Sequence, residues 1–152
     1  MNRNLIFTII VILLATLSMV NAIPHQLHKR ATTFVPCTTG SPNKLAVSIQ
    51  PDPPVPNGQL LVTVSGTLTT GTIAAGSKII YQAFDNTGAP LSDQLSSDIC
   101  SGATCPLEAG TSFSITNKFQ TGYFPATYTI AVGIADATGA ALACYIGTIT
   151  GA

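Results

Sequence analysis

The sequence predicts an all-β domain built as an antiparallel sandwich of two sheets. Three observations carry the prediction. Apolar and polar residues alternate with period two through most of the chain after residue 30, and β-branched residues are abundant there. Clusters of Gly, Pro, Asn and Asp cut this part of the chain into at least six such runs, at the spacing of sandwich strands. Helical periodicity is almost absent, and no internal repeat or low-complexity tail is evident.

The first run, "KLAVSIQ", sets Leu45, Val47 and Ile49 against Ala46, Ser48 and Gln50, the pattern of a strand with one buried face. "PDPPVPNG" (51–58) ends it, because prolines cannot donate to a ladder. "QLLVTVSGTLT" (59–69) is the second strand, with Gly66 marking a bulge or bend. "SKIIYQAFD" (77–85) is the third, closed by the turn signal "NTGAP". Residues 91–110 are the least regular part. "TSFSITNKF" (111–119) follows, then "PATYTIAVGIAD" (125–136), a turn at "ATGA" and "ALACYIGTIT" (141–150), the last two runs forming a hairpin.

Ahead of this domain, Arg3 and an apolar block from Leu5 to Leu17 lead to small residues at Val20 and Ala22, the pattern of a secretory signal peptide over 1–22. The block is shorter than the ~20 residues of a membrane span. Residues 23–30 form a short propeptide ending at the dibasic pair Lys29-Arg30, which leaves a domain over 31–152. Processing removes His25, His28, Arg3, Arg30, Met1 and Met19, so the mature chain has no His, Arg, Met or Trp. Lys44, Lys78 and Lys118 then stand against Asp52, Asp85, Asp93, Asp98, Glu108 and Asp136, a net charge of −3. A nucleic-acid partner needs clustered cations and is not expected.

Four cysteines, Cys37, Cys100, Cys105 and Cys144, allow three pairings. The secretory route favours disulfides, and a zinc site without histidine would need all four thiolates, two of them isolated near the chain ends. No metal and no cofactor are expected. The simplest layout closes Cys100 to Cys105 locally and joins Cys37 to Cys144. With two disulfides formed, neither a Ser-His nor a Cys-His arrangement remains, and an enzyme would have to use a carboxylate pair drawn from Asp93, Asp98 and Glu108. Asp is a common turn former, so turn duty is the preferred reading of these acids and the chain is read as a non-enzyme.

Several stretches together resemble the ML lipid-recognition family, in particular fungal phosphatidylglycerol/phosphatidylinositol transfer proteins and, more distantly, the Niemann-Pick type C sterol carriers. They are Cys37 before the first strand, the strand exit "VSIQPDPPVPNG", the unit "DIC" then "CPLEAG", the strand "TSFSITNKF", and the final hairpin with Cys144 in its last strand. The "CPLEAG" unit with its upstream cysteine is the specific part. The resemblance spans Cys37 to Ile149. It implies an immunoglobulin-like sandwich with a lipid cavity between the sheets, and disulfides Cys37–Cys144 and Cys100–Cys105. Animal sterol carriers have a further disulfide where this chain has Pro53, Pro54 and Pro56, and cavity tryptophans that it lacks; both departures favour the phospholipid-type branch.

In such a protein the cavity wall would come from large apolar residues on inward faces: Phe84, Phe113, Ile115, Tyr128, Ile130, Val132 and Ile134. Each also suits plain core packing. Phe119, Tyr123, Phe124 and Pro125 crowd aromatics into a Gly- and Pro-containing connection that suits either a cavity mouth meeting the membrane, with Lys118 beside it, or a loop folded back on the core. The expected partners are a phospholipid or sterol ligand and, transiently, a membrane, for a monomer in the secreted or vacuolar space. The alternative is a secreted sandwich with a filled core that acts through its surface on another protein.

Overall fold

The computed structural model describes residues 31–39 and 42–150. The leader and the dibasic site lie outside the described residues. Among the described residues, eight strands form two antiparallel sheets, in keeping with the period-two patterning: β1 (Phe34–Pro36), β2 (Leu45–Gln50), β3 (Gln59–Thr67), β4 (Lys78–Phe84), β5 (Leu95–Asp98), β6 (Ser112–Gln120), β7 (Thr127–Ala135) and β8 (Ala141–Thr150). One sheet has five strands in the order β1-β8-β7-β4-β5, and the other has three in the order β2-β3-β6. The six strands read from the sequence are β2, β3, β4, β6, β7 and β8, with β7 and β8 paired as the expected hairpin.

The two further strands, β1 and β5, form opposite edges of the larger sheet. β1 is three residues long and contains Pro36, which an edge position tolerates because one side of the strand needs no donor. β5 reads Leu-Ser-Ser-Asp, too polar and too short to show alternation. Gly66 is not a bulge: the register runs through it without a break on both sides, and the register shift in the larger sheet lies between Ile134 and Ala135. A Cβ at Gly66 would sit 2.7 Å from Leu45 Cδ2 and 3.2 Å from the Lys44 carbonyl oxygen, so glycine there lets β2 approach β3 closely.

Two turns share one design. Asp85 Oδ1 accepts from Thr87 N at 2.8 Å, Thr87 Oγ1 at 2.7 Å and Ala89 N at 2.9 Å. Asp136 repeats this with Thr138 and Ala140 at 2.8, 2.7 and 2.9 Å. In both turns a glycine takes the left-handed conformation, Gly88 at φ 86° and Gly139 at φ 89°. Both disulfides form as expected, Cys37–Cys144 and Cys100–Cys105. The first ties the exit of β1 to β8 within one sheet. The second closes a loop around a 3-10 turn, Ile99–Ser101, whose cap Asp98 accepts from Cys100 N at 2.8 Å.

The core lies between the sheets. Leu60, Val62 and Val64 of β3 face Ile79, Tyr81 and Ala83 of β4 and Tyr128, Ile130, Val132 and Ile134 of β7, all buried. One end of the sandwich carries a polar lock. Asn43, fully buried, accepts at Oδ1 from Thr69 N (2.6 Å) and Thr70 N (3.0 Å) and donates from Nδ2 to Leu142 O (2.8 Å) and Thr70 O (3.1 Å). Beside it Tyr145 Oη accepts from Leu45 N at 2.6 Å and donates to Asn43 O at 3.2 Å. These bonds cross from the five-stranded sheet to the entry of β2, so the sheets are pinned there.

Candidate functional site

The opposite end is built from loops rich in apolar side chains. The proline-rich exit of β2 (51–58) meets the connection from β6 to β7 (121–126), and the two are knit together by hydrogen bonds. Thr121 Oγ1 lies 2.7 Å from the Val55 carbonyl and accepts from Gly58 N at 2.9 Å, Asn57 N donates to Gly122 O at 3.1 Å, and Gln120 Nε2 donates to Asn57 O at 2.7 Å. Thr121 is buried, so its hydroxyl must find partners, and the loop backbones supply them.

Within this rim the aromatics divide. Phe124 folds inward onto Tyr128, with ring centroids 4.9 Å apart, and glycine at 122 leaves room for its ring. Tyr123 points outward and is 84% exposed, with Val55 at 53% on the adjoining loop. Phe119, at the same end of β6, stacks on Tyr81 of β4 with centroids 5.2 Å apart and an interplanar angle of 19°. Beneath the rim, Pro54, Val55, Pro56, Thr121, Phe124 and Tyr128 line a crevice too narrow for a water molecule.

Of the expected wall residues, Phe113, Ile115, Tyr128, Ile130, Val132 and Ile134 are buried on inward faces, as is Phe119. Phe84 is corrected. It shares a face with Lys78, Ile80 and Gln82, while Ile79, Tyr81 and Ala83 point into the core, so Phe84 lies half-buried on the outer side of its sheet. Lys78 and Gln82, polar and each two residues from Ile80, already mark that face as outer. Lys118 is exposed on the outer face of β6. The acids weighed for a carboxylate pair serve turns and loops. Asp98 caps the 3-10 turn, Glu108 Oε2 accepts from Thr72 Oγ1 at 2.9 Å, and exposed Asp93 precedes β5 at its other end.

Sequence reasoning missed Tyr81, Asn117 and Val55. Tyr81 and Asn117 occupy inward positions of β4 and β6, and alternation with Ile79 and Ile115 is the signal that places them. The interior shapes their chemistry. Burial pushes the Tyr81 phenol well above its ordinary pKa, with the nearby Tyr128 adding to it. Burial likewise raises Tyr128 to about 12, helped by the negative charge of Asp52.

Two larger hollows lie outside the sandwich interior. One of about 370 Å³ follows the β1–β8 edge, lined by Thr32, Val35, Asp52, Ile146 and Thr148, and one of about 220 Å³ lies on the outer face of the larger sheet over Ile80, Ala131 and Gly133. The space between the sheets is occupied by the core side chains.

The molecule is thus a two-sheet sandwich with an apolar, aromatic interior, a polar lock at one end and a rim of loops with exposed apolar side chains at the other. The ML domain matches residues 31–150, and the chain belongs to that family. No curated protein matches the chain. Among solved structures, it is similar to chicken MD-1 complexed with lipid IVa, at 16% identity and a TM-score of 0.53, over 77% of this chain and 87% of that one. It also aligns with a Niemann-Pick type C2 protein from the Japanese carpenter ant, at 14% identity and a TM-score of 0.47, over 78% and 91% of the two chains. At such identity the MD-1 likeness shows the fold alone.

Proposed function

We propose that this protein is a secretory-pathway lipid carrier, not an enzyme, which moves a phospholipid of the phosphatidylinositol or phosphatidylglycerol type, or a sterol, between membranes with the lipid held between its two sheets. The observation that carries the reading is the ML-domain match across nearly all of the described chain. Two disulfides suit an oxidising, extracellular or lumenal compartment. Removal of residues 1–30 at the dibasic pair would deliver the domain to it.

The energetics favour a reversible shuttle. A C16 acyl chain gains roughly 12 kcal/mol on leaving water, at ~0.8 kcal/mol per methylene, and gains a similar amount in a bilayer or in an apolar protein interior. Exchange between the two is therefore near neutral. With the interior filled in this structure, entry of a chain requires the sheets to part. Neither disulfide joins one sheet to the other, so no disulfide cross-link opposes that motion. Val55 and Tyr123 supply apolar surface for transient membrane contact at the end opposite Asn43.

Organic extraction of the purified protein followed by lipid mass spectrometry, with a fluorescent-lipid transfer assay between vesicles, tests this. Co-purified lipid and transfer are expected; neither binding nor transfer of phosphatidylinositol, phosphatidylglycerol or ergosterol would refute it. The filled interior favours one second reading, a sandwich that binds another protein through its surface, and the same negative result would support that reading.

A further inference from the structure

Two buried polar groups in the described interior have no partner: Tyr81 Oη and Asn117 Nδ2. Buried hydroxyls and amides are nearly always hydrogen-bonded, because an unmet donor loses its water without compensation. The two residues come from opposite sheets yet belong to one neighbourhood. Tyr81 is 1% exposed and reaches from β4 to stack on Phe119 of β6, and Asn117 is the inward position of β6 next to Phe119. Asn117 is only half-buried, as suits an edge strand, while its amide nitrogen is sealed off. Every other inward residue of β6 is apolar: Phe113, Ile115 and Phe119.

We propose that Tyr81 and Asn117 form a polar subsite for an oxygen atom carried on the apolar body of the bound lipid, a sterol hydroxyl or an acyl ester oxygen, and so select oxygenated lipids over pure hydrocarbon. This rests on the lipid-binding reading above. Both groups offer hydrogens to an acceptor: the Tyr81 phenol donates one, and the Asn117 amide donates from Nδ2. A hydroxyl ligand can also donate to Tyr81 Oη. A lipid inserted beside Phe119 would part Tyr81 from Asn117's strand and bring such an oxygen between them. A hydrocarbon in the same place would leave both groups unmet, and a site built to hydrogen-bond rejects an analogue that lacks the matching atom.

The test is competition against a bound fluorescent lipid with two matched pairs: ergosterol against its 3-deoxy analogue, and a C16 methyl ester against an alkane of the same length. The protein is used as secreted, and as Tyr81→Phe and Asn117→Val. The wild type is expected to prefer the oxygenated member of at least one pair by about ten-fold or more, the worth of one or two hydrogen bonds to buried groups. The pair that shows the preference identifies the source of the oxygen. Each variant should lose most of that preference, mainly by binding the hydrocarbon better. Each should also melt no lower than the wild type without lipid, because the group removed has no partner in the protein; a merely structural residue would lower the melting temperature instead. Equal affinity for both members of both pairs, or a preference unchanged in both variants, overturns the subsite while leaving lipid binding intact. Failure of all four lipids to displace the probe, with no lipid bound, overturns the carrier reading as well.

Discussion

Replacing Asn43 with alanine tests whether the polar lock holds the two sheets together at one end. The side chain makes five hydrogen bonds, accepting from Thr69 N, Thr69 Oγ1 and Thr70 N and donating to Thr70 O and Leu142 O. Thr69 and Thr70 are exposed, so water can replace part of what they lose, whereas the Leu142 carbonyl bond is buried. At a net worth of ~1 kcal/mol each, with more for the buried one, Asn43→Ala should cost roughly 3 to 5 kcal/mol. That is a large share of the stability of a single domain. For a domain of this size it corresponds to a fall in melting temperature on the order of 12 to 20 °C. Urea denaturation followed by far-UV circular dichroism measures it, and an unchanged m-value would show that the unfolded state is not the cause. A loss below about 1 kcal/mol would refute the reasoning, since it would mean that water or a local shift satisfies all five partners. Asn43→Asp should be no milder near neutral pH, because it turns a carboxylate towards two carbonyl oxygens.

Other expectations follow from the same geometry. Tyr123→Ser should leave the melting temperature within about 2 °C, since exposed substitutions rarely exceed ±0.5 kcal/mol, and should slow vesicle-to-vesicle lipid transfer several-fold; an unchanged transfer rate would remove Tyr123 from the membrane contact. Breaking Cys37–Cys144 by Cys37→Ser with Cys144→Ser, which frees a pairing across 107 residues, should cost about 4 to 5 kcal/mol in the chain-entropy model, read by urea denaturation. Tyr128 keeps its proton in the fold to about pH 12 rather than 10, so its contribution is intact below pH 10 and is lost as pH rises towards 12; Tyr128→Phe should flatten that limb of a stability-against-pH curve. Asp85 and Asp136 have lowered pKa values, chiefly from the hydroxyls of Thr87 and Thr138, so their contribution is present above pH 3.8 and lost as the pH falls below it. Thr87→Val with Thr138→Val should shrink that acid limb in the same measurement.

Alternation alone located six of the eight strands, because each is long enough to show its buried face. β1 and β5 escaped for a physical reason: at the edges of the sheet, three or four residues suffice, and neither needs a clean apolar face. The turn signals "NTGAP" and "ATGA" were legible because Asp followed by Thr and Gly specifies its own hydrogen bonds locally. Gly66 misled because the sequence shows that a side chain is absent and not what occupies its place, which is Leu45 of the neighbouring strand. The candidate site was legible where apolar residues face inward and illegible where polar ones do. Phe84 attracted attention through its size, although its parity with Lys78 and Gln82 puts it on the outer face. Tyr81 and Asn117 carry no local signal beyond parity, and their lack of partners exists only once the two sheets are stacked.

The restraints in the molecule are unevenly placed, and this determines where the sandwich can open. Cys37–Cys144 lies within the larger sheet, and Cys100–Cys105 closes a loop at the pinned end, where Asn43 and Tyr145 also join the layers. At the other end the Thr32–Asp52 pair holds the β1 side to the β2–β3 loop. The flank where β6 covers β4 is different. The side-chain hydrogen bonds of β6, Thr116 to Thr63, Ser112 to Thr67 and Gln120 to the Asn57 carbonyl, all stay on its own side of the sandwich. Its inward face meets β4 through side-chain packing, the Phe119–Tyr81 stack included, and such contacts can slide apart at the cost of dispersion and burial alone. On the lipid-carrier reading, an apolar chain that replaces the stack restores most of that burial, and we expect a lipid to enter at this flank. Closing it with a disulfide between β6 and β4 should therefore abolish lipid uptake under oxidising conditions and restore it on selective reduction. Uptake that persists with the cross-link formed would place the entrance elsewhere.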